Sequence, residues 1–350
     1  MKIRFETKRA NENVDVAPNE SILFAGLRQG LALPHECASG TCGSCQAQLL
    51  DGNLNDLWVD APGKSHISGG VDRFLMCQTA CKTDATIKLF GRLKHQTDGY
   101  PTPAYASGII THLEKINPDI AVVRLQLEID FPFIAGQFAM LCFPQVEGWR
   151  AYSMCQSDTH TGELEFVIKR LHGGAVSNCI FNARIIGQRV EVFGPLGRSC
   201  LNHGREDKAI LMIAGGSGIA GIIAVLQDII SKGSYTQNRI EIFFGIKSPR
   251  DDFFLDRLST LVMDTSGQIE VTVVYSETDT IRGMHPKYGN INLASGFVHD
   301  VALAALRMQN TNDDLTYFVA GPPIVVTTTE AILQREFGVS ADRIRLDRFG

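Results

Sequence analysis

No run of apolar residues in this 350-residue chain approaches the ~20 that a membrane-spanning helix needs; the longest, such as AILMIA and IAGIIAVL, stop far short. The opening MKIRFETKRANENVD lacks the apolar stretch of a secretory signal, so the expected setting is the cytoplasm. Charge of one sign is lacking too. Its 33 basic and 38 acidic side chains leave a formal net charge of -5, which gives no reason to expect nucleic acid or an anionic membrane as partner. Internal repeats and low-complexity tracts are absent, and the nine histidines are scattered without metal-ligand spacing. His35 is accordingly expected to be structural. At roughly 100–200 residues per domain, the length points to two or three domains. Turn-rich joints at 95–103 (HQTDGYPTP) and 200–208 (CLNHGREDK) divide the chain into expected units of 1–98, 104–203 and 204–350.

Cysteine is plentiful. Nine thiols in a reducing setting are poor candidates for disulfides and better ones for metal or redox chemistry. The stretch PHECASGTCGSC carries Cys37, Cys42 and Cys45; after a gap of 31 residues come Cys77 and then Cys81. C-x4-C-x2-C with a distant fourth cysteine is the plant-type [2Fe–2S] spacing. Structural zinc usually takes two short pairs, which a triplet plus one fits poorly. Two irons need four converging thiolates, and the small residues of ASGTCGS leave backbone N–H groups free to face the sulfurs. Cys77, following RFLM, is the preferred fourth ligand, and Cys81 the alternative. Around this loop KIRFET alternates like a half-buried strand. NESILFAGLRQG reads as a helix stopped at Gly30, and CQAQLLDG and ATIKLF read as strands. This order resembles the β-grasp fold of plant-type ferredoxins. Residues 1–98 hold 11 basic and 11 acidic side chains, a neutral balance suited to a ferredoxin whose electron donor is tethered to it.

The middle of the chain reads as closely spaced strands (SGIITHLEKI, IAVVRLQLE, GQFAMLCF, ELEFVIKRL, QRVEVFGP), the pattern of an all-β barrel. RAYS, residues 150–153, lies among them. It is followed by KRLHGGAVSNCIF, in which a Gly-Gly turn opens a helix whose first N–H groups suit an anion. Together these resemble the flavin domain of the ferredoxin–NADP reductase superfamily, a six-stranded antiparallel barrel. The resemblance implies that Arg150 pairs with the FAD pyrophosphate, Tyr152 lies against the isoalloxazine or ribityl chain, and Ser153 reaches toward flavin N5. Gly173, Gly174, Val176 and Ser177 would hold the pyrophosphate.

KAILMIAGGSGIAGIIAVLQDIISKG is a buried strand, a glycine turn and a long helix, and Gly216, Gly218 and Gly221 spell G-x-G-x-x-G. The acid that a standard dinucleotide fold carries at the end of its second strand is missing, because IEIFFG ends in Gly245-Ile246-Lys247. The closer likeness is again to the reductase superfamily, whose nucleotide domain is a parallel α/β sheet. It implies nucleotide contacts at Gly215, Gly216, Ser217 and Gly218, and at Gly321 and Pro322 of an Ala-Gly-Pro-Pro turn. Ala320 stands where the family usually has a cysteine that helps orient the nicotinamide. The end, DRFG, matches the aromatic that covers the flavin, here Phe349, with Asp347 as the acid two residues before it. Glu277 and Asp279, where a basic clamp for a 2′-phosphate would sit, favour NADH over NADPH.

In that order the three units resemble single-chain reductase components of bacterial multicomponent oxygenases. The resemblance implies FAD, a 2Fe-2S cluster and NADH as the redox groups, with Ser153 and Phe349 at the reacting flavin face. The expected partner is a terminal oxygenase (a ring-hydroxylating dioxygenase or diiron monooxygenase) or its intermediate ferredoxin. The alternative is the NADH-dependent 2Fe-2S flavoprotein reductase of deoxysugar biosynthesis, which keeps the same domains and differs in partner. A non-enzymatic redox sensor is the third reading, opposed by the intact RAYS and glycine turns.

Overall fold

A computed structural model of the chain describes residues 1–70, 72–96, 99–157, 162–182, 184–201, 209–237, 239–263, 265–308 and 315–348. The first unit contains strands β1 (Lys2–Glu6), β2 (Asn11–Asp15), β3 (Gln46–Asp51), β4 (Leu54–Asp56), β5 (Arg73–Leu75), β6 (Thr79–Cys81) and β7 (Ala85–Lys88), with helix α1 (Ile22–Arg28). Five of the strands form a mixed sheet in the order β2-β1-β7-β3-β5, and β4 pairs with β6 beside it. The Ser21 hydroxyl caps α1 by accepting the Phe24 N–H. Ile22 to Leu27 are all buried, so α1 packs over the sheet as the β-grasp expectation requires.

The second unit holds β8 (Ala104–Asn117), β9 (Ile120–Leu127), β10 (Phe138–Cys142), β11 (Arg150–Ser153), β12 (Glu163–Lys169) and β13 (Arg189–Leu196), with α2 (Ala175–Asn182). They form a six-stranded antiparallel sheet, β11-β10-β13-β8-β9-β12. An antiparallel bridge from Met154 to Phe166 joins its two outer strands and nearly closes a barrel. Five strands are plain in the sequence pattern; the sixth, β11, is the RAYS segment itself, too short to show a period.

The third unit comprises β14 (Ala209–Gly215), β15 (Arg239–Ile246), β16 (Ile269–Tyr275), β17 (Arg282–Met284), β18 (Ile291–Ser295), β19 (Leu315–Gly321) and β20 (Ile344–Arg348). Its helices are α3 (Ile219–Ser231), α4 (Leu255–Val262), α5 (Val298–Met308) and α6 (Pro323–Arg335). The sheet runs β17-β18-β16-β15-β14-β19-β20 and is parallel except for the edge strand β17. Along β14, Ile210, Met212 and Ala214 face α3 and α4, while Leu211 and Ile213 face α5 and α6. Both faces are therefore covered, and the strand order reverses between β14 and β19, where doubly wound sheets bind ligands.

The units share cores. Phe24 of α1 stacks on Phe193 of the barrel, with centroids 4.1 Å apart and planes 12° apart, and Trp149 meets Phe24 edge-on at 5.5 Å. Burial of each such ring is worth about 1.5–3 kcal/mol, so the first unit is seated on the barrel by apolar packing. Among the described residues no helix is long and apolar enough to cross a membrane.

Candidate functional site

The loop 37–45 and the turn after β5 bring four cysteines together in two pairs. The Cys45 and Cys77 sulfurs lie 3.2 Å apart. The Cys42 N–H donates to Cys37 Sγ at 3.4 Å, and the Ser44 N–H to Cys42 Sγ at 3.5 Å. The hydrogen bond between the Cys37 and Cys42 thiols holds Cys37 well below the usual range and pushes Cys42 up. Cys45 is lowered by Cys77, and Cys77 is raised in turn. Among the described residues no three His, Cys, Asp or Glu groups converge as a single ion requires. Two dithiol pairs with backbone N–H groups on their sulfurs fit a two-iron centre instead. Cys81 lies on β6 opposite Leu54, and burial pushes its thiol up to about 11. His35 turns Nδ1 to the Leu33 carbonyl at 2.9 Å.

From this loop a cavity of about 1390 Å³ runs between all three units, lined by Cys37, Arg150, Ser153, Gly174, Gly216 and Asp347 among others. β11 aims Arg150, Tyr152 and Ser153 along its wall. Among the described residues Arg150 pairs with no carboxylate: Nη1 donates to the Trp149 carbonyl at 3.0 Å, and the guanidinium lies 5.5 Å from the Trp58 ring centroid. Lys169, at the end of β12, also has no carboxylate partner among them and points across the cavity at Gly216, its Nζ 3.8 Å from where a Cβ there would sit. Two uncompensated cations in one cavity fit the phosphates of two dinucleotides. At the Gly173-Gly174 turn the first N–H groups of α2 cannot be used by the helix itself. Ser177 is turned inward: its Oγ accepts the Leu171 N–H at 3.1 Å and lies 3.0 Å from the Gly174 carbonyl oxygen.

The glycine turn after β14 packs backbone on backbone against the turn after β19. A Cβ on Gly218 would come within 2.6 Å of the Ala320 carbonyl oxygen, and one on Gly221 within 3.6 Å of Ser153 Cβ and 3.5 Å of Asp347 Oδ2. Gly218 thus lets α3 start tight against the turn after β19, and Gly221 faces the barrel wall at ordinary contact distance. Gly215 to Ser217 and Pro322 line the cavity, as Ser153 does. Ser153 donates to Asp347 Oδ2 at 2.5 Å, and burial raises the Asp347 carboxyl to about 6 despite that hydrogen bond. Phe349 lies outside the described residues.

Several residues at this site carried no sequence signal of their own. Trp58, in the turn after β4, reaches Arg150 across the unit boundary. Arg348 bridges Glu330 of α6 at 3.1 Å and Glu36, the neighbour of Cys37, at 3.4 Å. Lys169 is the one with a usable clue, because it opens the KRLHGG string that leads into the turn.

Three family models match in the same order: a 2Fe-2S iron-sulfur cluster binding domain over 5–82, an oxidoreductase FAD-binding domain over 107–200, and an oxidoreductase NAD-binding domain over 212–331. The chain is 32% identical over 333 residues to the ferredoxin–NAD(P)+ reductase CarAd of Metapseudomonas resinovorans, covering 94% of each. It is 30% identical over 338 residues to the ferredoxin–NAD+ reductase component of the alkene monooxygenase system of Xanthobacter autotrophicus, covering 95% of this chain and 96% of that one. A solved ferredoxin reductase in carbazole 1,9a-dioxygenase superposes with a TM-score of 0.81 at 31% identity, over 100% of this chain and 99% of that one. With the cysteine pairs, the barrel and the doubly wound sheet in one polypeptide, the chain belongs to the family of ferredoxin–NAD(P)+ reductases, iron–sulfur flavoprotein oxidoreductases built from 2Fe-2S, FAD-binding and NAD-binding domains.

Proposed function

We propose that this chain is the NADH-dependent reductase component of a multicomponent oxygenase, working in the cytoplasm through units at 1–98, 104–203 and 204–350. The observation that carries this is the single cavity joining the cysteine loop, the RAYS wall and the nucleotide turn. Related chains named as parts of oxygenase systems support an oxygenase, or its ferredoxin, as the acceptor, and none of these names points to deoxysugar biosynthesis. When bound, FAD accepts a hydride from NADH and the 2Fe-2S cluster passes electrons on singly, chemistry that no side chain supplies.

The chain's own residues bind and orient. Cys37, Cys42, Cys45 and Cys77, brought together as two pairs, would hold the 2Fe-2S cluster. Arg150 and the N–H groups of 173–177 hold the FAD pyrophosphate, with Ser177 bracing that turn. Tyr152 supports the ring, and Ser153, fixed by Asp347, faces the reacting edge. Gly215 to Gly218, Gly321 and Pro322 would seat the nicotinamide nucleotide, and Lys169 would meet its phosphates from the barrel side. The test is anaerobic reconstitution. Purified protein with FAD and cluster should be reduced by NADH and should support turnover of its oxygenase. Reduction of FAD without any transfer to a one-electron acceptor would exclude the electron path.

A further inference from the structure

The barrel and the nucleotide unit are also joined by a charged contact that no dinucleotide motif explains. Arg257, on α4, donates through Nη1 to Glu165 Oε1 at 2.6 Å and through Nη2 to the Cys155 carbonyl at 2.9 Å. Glu165, on β12, takes a second guanidinium from within the barrel, Arg124 Nε at 2.9 Å. The Glu165 side chain is only 10% exposed, so water screens these contacts little. A two-point, charge-assisted grip fixes angle as well as distance.

The grip falls on the seam that closes the barrel. Met154 bridges Phe166 there, and the Cys155 N–H donates to the Glu165 carbonyl at 2.9 Å. One strand of the seam leads back two residues to Ser153, and the other leads on to Lys169; both line the cavity. Arg257 thus holds the two cavity walls that come from the barrel against the unit that carries the nucleotide turn. We propose that Arg257 is a positioning residue for hydride transfer: clamping the Cys155–Glu165 seam sets the separation between a nicotinamide seated at 215–218 and the flavin face at Ser153. It touches no reacting atom and acts through the seam.

The inference rests on the proposed reduction of FAD by NADH, and the test separates the two. Full-length, FAD-loaded wild type, Arg257→Gln, Arg257→Lys and Glu165→Gln are mixed anaerobically with increasing NADH in stopped flow. In Arg257→Gln the limiting rate of flavin reduction should fall roughly tenfold, within the range that small misplacements cost, while the NADH dissociation constant moves less than about threefold. Arg257→Lys, which keeps the contact with Glu165 but not the second hydrogen bond, should recover part of the rate. Hydrogen exchange on the apoproteins should quicken in Arg257→Gln at 153–156 and 163–169. An unchanged limiting rate overturns the proposal, and so does a loss matched by lost FAD or NADH affinity with no recovery by lysine. If Arg257→Gln does not fold, the limiting rates of Arg257→Lys and Glu165→Gln decide by the same criteria. Failure of the wild type to reduce its flavin overturns the underlying reading instead.

Discussion

Ser153 donates to Asp347 at 2.5 Å across 194 positions of sequence, tying the RAYS strand of the barrel to the last strand of the nucleotide-binding sheet. Both side chains lie against α3 beside Gly221. Three units meet at this pair and its neighbour Arg348, which reaches Glu36 beside the first cluster cysteine.

The pair has a pH signature. Burial raises the Asp347 carboxyl from 3.8 to about 6. Below about pH 4 it is neutral in both folded and unfolded chains. As pH rises through 6 the unfolded chain ionises first, so the stability carried by the neutral buried form is progressively lost, and the loss is complete above that. The melting temperature of Asp347→Asn should therefore gain on wild type between about pH 4 and 6 and run parallel above, with a change worth about 1–3 kcal/mol. A constant offset across that window would show that Asp347 ionises normally.

The cysteine pairs predict the metal content. Wild-type protein should hold about two irons and two labile sulfides per chain. Cys77→Ser should lose the cluster and keep FAD, while Cys81→Ser, altered on β6 away from the Cys45–Cys77 pair, should keep both. The reverse outcome in iron analysis would reassign the fourth ligand to Cys81.

Cofactor preference should turn on an ion pair at the ends of β15 and β16. Lys247 Nζ lies 3.2 Å from Glu277 Oε1, both more than 60% exposed. Glu277→Gln frees the ammonium and removes repulsion toward a 2′-phosphate. An exposed pair is worth up to ~1 kcal/mol, so the ratio of kcat/KM for NADPH to that for NADH should rise about fivefold. An unchanged ratio would place the adenosine ribose elsewhere.

Removing residues 1–98 should leave NADH-driven ferricyanide reduction and abolish efficient cytochrome c reduction. The packing adds a condition to this experiment. Phe193, Met140, Phe138 and Leu196 of the barrel are buried by the first unit, so the truncated protein gains an apolar patch. It should self-associate on a sizing column, and Phe193→Ser should relieve this without loss of ferricyanide reduction. Full support of an oxygenase by the truncated protein would sink the proposed electron path.

Ala320 is the departure from the family pattern. It is 1% exposed, at the end of β19 in register with Asp347. Ala320→Cys should speed flavin reduction at saturating NADH with little change in oxygenase-coupled turnover. An equal or slower rate in stopped flow would mean that Ser153 and Pro322 already fix the nicotinamide.

The sequence by itself determined the local devices. Cys37, Cys42 and Cys45 sit within nine residues, and a loop that short can wrap a cluster by backbone geometry alone. The glycines of 215–218 and the Gly-Pro-Pro turn are read from residue type, because tight turns and close backbone approach exclude a Cβ. The five longer barrel strands and the buried strands of the nucleotide sheet show in their periods. β11 is hidden by its length, and the short edge strand β17 by its lack of a buried face. Only the tertiary structure decided how these parts address one another. Trp58 on Arg150, Arg257 on Glu165 and Arg348 on Glu36 are ordinary residue types in unremarkable strings, and they join positions 92, 92 and 312 apart. Spacing along the chain encodes contacts within a turn or a strand. The relation between units is set by which faces bury their apolar surface, as Phe24 does on Phe193, and that fixes where the charged side chains at the rims find their partners.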